Sequence, residues 1–216
     1  MKTQLRIVSM LMLALVLLTL AVTPSFAGTI PTIHSTGEGL GSGGVTDPYY
    51  EIVAAPFPVP VGGQGITLPP GGWVSPPSGT QWINAYGDRR AEPGGYYDYQ
   101  TTFDLTGFDF NTAELHGSWA VDNGGYILLN GAAAIGSGTS IPCCFGFQTL
   151  TPLAITGGFR PGLNTLDFMV YNQEDVTGLL VDIGGTASST PEPSSLLLMG
   201  SGLLGLAAVV RRKLMG

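Results

Sequence analysis

A chain of 216 residues has room for one domain once targeting ends are set aside. All Asp and Glu except Glu192 lie in 28–190, where Arg89, Arg90 and Arg160 are the only basic partners; three against 14 leaves −11 there, while the whole chain carries −7. Such an acidic body repels phosphate backbones and argues against nucleic-acid binding.

At the start of the chain, Lys2 and Arg6 precede an apolar stretch from Ile7 to Val22, then Pro24 and Ser25-Phe26-Ala27. Small residues at Ser25 and Ala27 suit signal peptidase, so 1–27 reads as a secretory signal peptide cut before Gly28; an uncleaved helical anchor is the alternative. No cysteine follows the cut, which argues against a lipoprotein. Residues 28–46 are rich in Gly, Ser and Thr and read as a flexible leader. A β-sandwich domain is expected over 47–187, with 57–80 a long Pro- and Gly-rich irregular loop.

Within that body the apolar pattern has period two. Tyr97, Tyr99, Thr101, Phe103 and Leu105 alternate with Asp98, Gln100, Thr102 and Asp104. Ala113, Leu115, Gly117, Trp119 and Val121 alternate with polar residues in the same way. Successive strand side chains point to opposite faces, so each is a half-buried strand. Asp122-Asn123-Gly124-Gly125 reads as a hairpin turn with Tyr126–Leu129 as its return strand, and Asn130-Gly131 as a second hairpin turn. Leu166, Phe168 and Val170, then Leu179, Val181 and Ile183, mark later strands. Further strands are expected over 49–54, 80–85, 132–136 and 145–156. No window reads as an amphipathic helix, so the expected class is all-β.

Candidate chemistry in the body is sparse. His34 falls in the leader and His116 on a polar strand face, so no histidine-based triad can be assembled and a non-enzymatic body is expected. Cys143 and Cys144 are adjacent: in an oxidising compartment they form a vicinal disulfide, stay reduced, or pair between molecules. Asp122 and Asn123, with Asp175, are the best oxygen donors for a structural Ca2+, although Asx-Gly turns need the same residues for backbone geometry alone. Trp73, Trp82 and Tyr86 sit in or beside loops, where they could stack on sugar rings; they could equally serve packing. Trp119 and Tyr96 to Tyr99 read as structural.

After a Gly-, Ser- and Thr-rich stalk, with the linker proper at 188–195, come Pro191-Glu192-Pro193, an apolar run from Leu196 to Val210, and Arg211-Arg212-Lys213. Fifteen apolar residues span about 22 Å as a helix, short of the roughly 30 Å hydrocarbon core, and snorkelling arginines close part of the gap. Residues 196–216 therefore read as a transmembrane helix whose basic cluster resists translocation. A Pro-Glu-Pro, a glycine-interrupted apolar helix and an Arg-rich end resemble the PEP-CTERM sorting signal. That resemblance implies an exosortase-like processing enzyme, cleavage near Pro193, a precursor held at the inner membrane, and a mature protein at the cell surface or outside it. It also implies an association with exopolysaccharide and biofilm. The runs 99–105, 119–125 and 129–131 resemble the body domains of such proteins and, more loosely, galactose-binding-like jelly rolls. The implied function is that of an exported envelope or matrix protein, with exopolysaccharide as a partner; a secreted glycan-active enzyme and a ligand-free matrix protein are the alternatives.

Overall fold

The computed structural model describes residues 27–69, 71–190 and 193–215. The chain divides into two units, Ala27–Ser188 and the two chain ends. The signal peptide expected over 1–27 lies outside the described residues except for Ala27, and so do Pro191 and Glu192.

The body is built from thirteen strands: β1 (Ala27–Thr29), β2 (Thr46–Ala54), β3 (Gly63–Thr67), β4 (Ile83–Asn84), β5 (Gly95–Asp104), β6 (Phe108–Asp122), β7 (Gly124–Leu129), β8 (Ala132–Ala133), β9 (Ile135–Ser137), β10 (Ser140–Ile141), β11 (Thr151–Gly157), β12 (Leu163–Asn172) and β13 (Gly178–Ser189). Eleven follow one hydrogen-bonded path, β10-β7-β12-β5-β2-β3-β4-β13-β6-β11-β9, with β1 added on β13 and β8 on β7. The path curls on itself, so that β7, β12, β5 and β2 form one layer and β13, β6 and β11 the other. Trp119 of β6 meets Phe168 of β12 across the core, ring centroids 5.7 Å apart. Tyr50, Tyr97, Tyr99, Phe103, Leu115, Leu166 and Val181 fill the space around them and are fully buried. Each such side chain contributes roughly 1.5–3 kcal/mol by leaving water. The indole N–H of Trp119 donates to Gly138 O at 2.7 Å, so the largest core side chain carries no unmet polar group.

The alternation expected over 97–105 holds in β5, whose odd-numbered residues face inward. Asn130 and Gly131 both have positive φ, 55° and 79°, and close the hairpin in which Leu129 faces Ala132. The other expected hairpin is overturned. β6 pairs with β11 and β7 with β12, β10 and β8, so Asp122-Asn123 carries the chain from one layer to the other instead of folding it back. Turn-forming residues produce a bend but do not choose the partner strand.

The leader expected to be flexible is packed into the body. β1 pairs with β13 from Ala27↔Ser188 to Thr29↔Thr186, and the first part of the stalk expected over 184–195 is strand as far as Ser189. Ile30 and Ile33 are buried in the main core. Thr36 Oγ1 donates to Gln81 O at 2.8 Å and accepts the Val181 N–H at 2.9 Å, and Ser35 Oγ accepts the Ile183 N–H at 3.0 Å. The hydroxyls that made this segment look polar thus replace a missing strand partner along β13. The irregular loop expected over 57–80 contains β3, and Leu68, Trp73 and Val74 from it cover part of the β13–β6 layer.

In the other unit, a helix runs from Pro193 to Met215, 23 residues and about 34 Å long. Among the described residues no helix is long and apolar enough to cross a membrane.

Candidate functional site

Three regions carry the residues singled out from the sequence, and a fourth was missed. The C-terminal helix begins at Pro193 and places Arg212 and Lys213 in its last turn, where cations favour the carbonyl end of the helix dipole. Arg211, Arg212 and Lys213 are exposed, as are Leu204, Leu206, Val209 and Leu214. Gly200, Gly202 and Gly205 have no packing neighbour within 4 Å of an added side chain.

The second region holds the loop aromatics. Trp73 and Trp82 do come together, centroids 4.6 Å apart, but they act as a cover. With Leu68, Val74, Phe147 and Leu150 they lie over Ala120 and Leu180, outward-facing residues of β6 and β13. Trp82 is only 6% exposed and its N–H donates to Val74 O at 3.0 Å. Trp73 packs against Gly178, where an added Cβ would stand 2.9 Å from the indole, so only glycine leaves room for it. The Arg89 guanidinium lies 4.2 Å from the Trp73 ring centre. Tyr86 has its own cation, Arg90, at 4.5 Å, held by two-pronged hydrogen bonds to Asp88. The packing role of these aromatics is therefore on view, and two of the three body arginines lie against their rings.

The third region is the corner between β6 and β7. Asn123 stitches it together: its N–H donates to Tyr171 O at 2.7 Å, its side-chain oxygen accepts the Gln173 N–H at 2.7 Å, and its carbonyl accepts the Gly146 N–H at 2.9 Å. Asp122 is buried, and its pKa is pushed up to about 7 by that burial, opposed by Arg89 and reinforced by Asp175. Glu92, which the sequence did not single out, is raised by burial to about 7 as well; its Oε1 accepts the Asn84 amide at 2.8 Å. Among the described residues no three His, Cys, Asp or Glu side chains gather as a metal site. Cys143 and Cys144 are joined as a vicinal disulfide in the neighbouring loop. His34 is not in a mobile leader: it stacks on Tyr49 at 3.6 Å and contacts Glu38 at 2.9 Å. His116 contacts Glu114 at 3.0 Å on an exposed strand face.

The region missed is the outer face of the β7–β12–β5–β2 layer. Register places Tyr171 beside Tyr96, Met169 between Tyr126 and Asp98, and Asp167 between Leu128 and Gln100, which in turn faces Glu51. Tyr96 touches both Tyr171 and Tyr126, centroids 5.2 and 5.9 Å apart. The Gln100 amide donates to Asp167 at 2.7 Å. Burial, and then the charge of Asp167, raises the pKa of Asp98 to about 6. The available signal was parity: Tyr96 alternates in step with Asp98 and Gln100, not with the buried Tyr97 and Tyr99.

Residues 189–213 match the model of the PEP-CTERM protein-sorting motif. The chain carries a PEP-CTERM sorting signal. This motif takes in the end of β13, the Pro-Glu-Pro and nearly all of the C-terminal helix, the segment singled out from sequence. The PEP-CTERM signal implies export and processing by an exosortase. No curated protein matches the chain.

Proposed function

We propose that this PEP-CTERM protein is a non-enzymatic envelope component whose β body is displayed at the cell surface or released, and there binds exopolysaccharide. The observation that carries the reading is the order of features within 189–213: Pro-Glu-Pro, a glycine-interrupted apolar helix, then Arg211, Arg212 and Lys213. The signal peptide delivers the body across the inner membrane. The helix then holds the precursor there, its exposed leucines and valine meeting lipid while the basic end snorkels to the cytoplasmic headgroups. Exosortase cuts near Pro193, and the acidic, tightly hydrogen-bonded body leaves without its anchor. Bare glycines on the helix suit a segment that pauses in the membrane rather than one that stays.

Mass spectrometry of the mature protein from its own host tests this. The expected product lacks both 1–27 and 196–216. Recovery of the intact chain, with both ends attached, from a host that carries an active exosortase would overturn the reading.

A further inference from the structure

The open outer face of β7, β12, β5 and β2 combines exposed aromatic rings with recessed carboxylates. Tyr96, Tyr126 and Tyr171 form a contiguous ring cluster, with Tyr96 51% and Tyr126 38% exposed. Beside them sit the recessed carboxylates Asp98 and Asp167, and one oxygen of Asp98 is buried with no hydrogen-bond partner. The four strands contain no Lys, Arg or His at all. Beyond Gln100 the face continues into a cleft of about 190 Å³ lined by Tyr49, Glu51, Gln64, Gln100 and Thr102.

From this geometry, and resting on the exopolysaccharide reading above, we infer that this face binds a polysaccharide bearing free amino groups, its sugar rings stacked on Tyr96, Tyr126 and Tyr171 and its ammonium groups received by Asp98 and Asp167. Charge complementarity selects the occupant. An anionic polymer meets a body of −11 and a face with no cation. The hydroxyls of a neutral glycan donate to these carboxylates but bring no compensating charge, whereas an ammonium supplies three donors and the charge as well. Tyrosine faces also attract cations, so rings and carboxylates act in the same sense. The amide of Gln100 fixes Asp167, and Glu51 and Gln64 offer acceptors and donors to hydroxyls along the cleft.

The test uses the purified full chain in detergent micelles, titrated calorimetrically with glucosamine hexamer, N-acetylglucosamine hexamer and cellohexaose. The glucosamine hexamer is expected to bind at least tenfold more tightly than the other two. Tyr96→Ala and Asp98→Asn should each weaken it at least tenfold, while His116→Ala, on the opposite layer, leaves it unchanged. If near-ultraviolet circular dichroism shows that Tyr96→Ala is misfolded, Tyr126→Ala carries the same expectation. Equal affinity for all three oligomers, no binding, self-association in place of binding, or wild-type affinity in folded Tyr96→Ala and Asp98→Asn would each overturn the inference. Titration with the host's own polysaccharide separates the two claims. Binding that neither variant weakens removes this face and leaves the exopolysaccharide reading standing; no binding at all removes both.

Discussion

Two outer faces of the wrapped sheet are treated in opposite ways. Over β6 and β13, Leu68, Trp73, Val74 and Trp82 fold back from the 57–82 segment and Phe147 and Leu150 from the loop after the disulfide, burying Ala120 and Leu180. Over β5 and β12 the outward residues include Tyr96, Asp98, Gln100, Asp167, Met169 and Tyr171, and the Tyr96 ring stands half in solvent. Both faces are aromatic and both lie near acids. One difference is that Arg89 and Arg90 sit against the aromatics on the covered side, while the open strands hold no cation. A face whose aromatics are packed, hydrogen-bonded and capped by arginines serves stability; one that leaves them bare beside unpaired carboxylate oxygen is available for a partner.

The largest expected effect comes from stripping the cover. Trp82→Ala removes a side chain that is 6% exposed, breaks its hydrogen bond to Val74 and exposes Leu68 and Leu180. Urea unfolding is expected to show a loss of about 3–5 kcal/mol. A loss below about 1 kcal/mol would mean that the two faces do not differ as described.

Next in size is the response to pH. Asp98 on the open face is raised to about 6, Asp122 on the Arg89 side to about 7, and Glu92 to about 7. A raised carboxyl pKa means that the folded state binds more protons than the unfolded state between the ordinary value and the raised one. Stability should therefore be greatest near pH 4 and fall as pH rises through about 6 and then about 7. Discounting for water that reaches these groups, each contributes roughly 1–2 kcal/mol. Asp98→Asn should flatten the lower part of the fall and Asp122→Asn the upper part, read from urea midpoints at pH 4, 6 and 8. A stability that rises over this range would contradict the burial assigned to all three.

What could be read from the sequence divides along the same physical line. Alternation over 97–105 and the Asn130-Gly131 turn are local, and the structure keeps both. The sorting segment is also local, being a linear order of Pro-Glu-Pro, apolar residues and arginines. Strand partnership is not local. Asp122-Asn123 looks like a hairpin turn because its residues bend the chain, yet β7 finds its neighbours in β12, β10 and β8. The 28–46 segment looks like a linker by composition, and only the β13 edge reveals that Ser35 and Thr36 supply its missing partners. Trp73 and Trp82 were legible as loop aromatics, but that they roof a sheet depends on which strands lie beneath. The Tyr96 cluster needed both parity and strand order, since Tyr126 lies far along the chain and reaches Tyr96 only because β12 runs between their strands.

The smallest expected effect is the most discriminating. Tyr96→Ala deletes a ring that is half exposed and touches Tyr126 and Tyr171. Cross-strand aromatic contacts of this kind are worth about 0.2–1 kcal/mol each, and loss of the ring leaves a gap that water can fill. With two such contacts the stability change in urea should therefore stay below about 2 kcal/mol, less than for Trp82→Ala. A cost as large as that of Trp82→Ala would make the tyrosine cluster a second structural cover whose exposure is incidental. A smaller change leaves the cluster without a large stabilising role, as the proposed glycan contact requires.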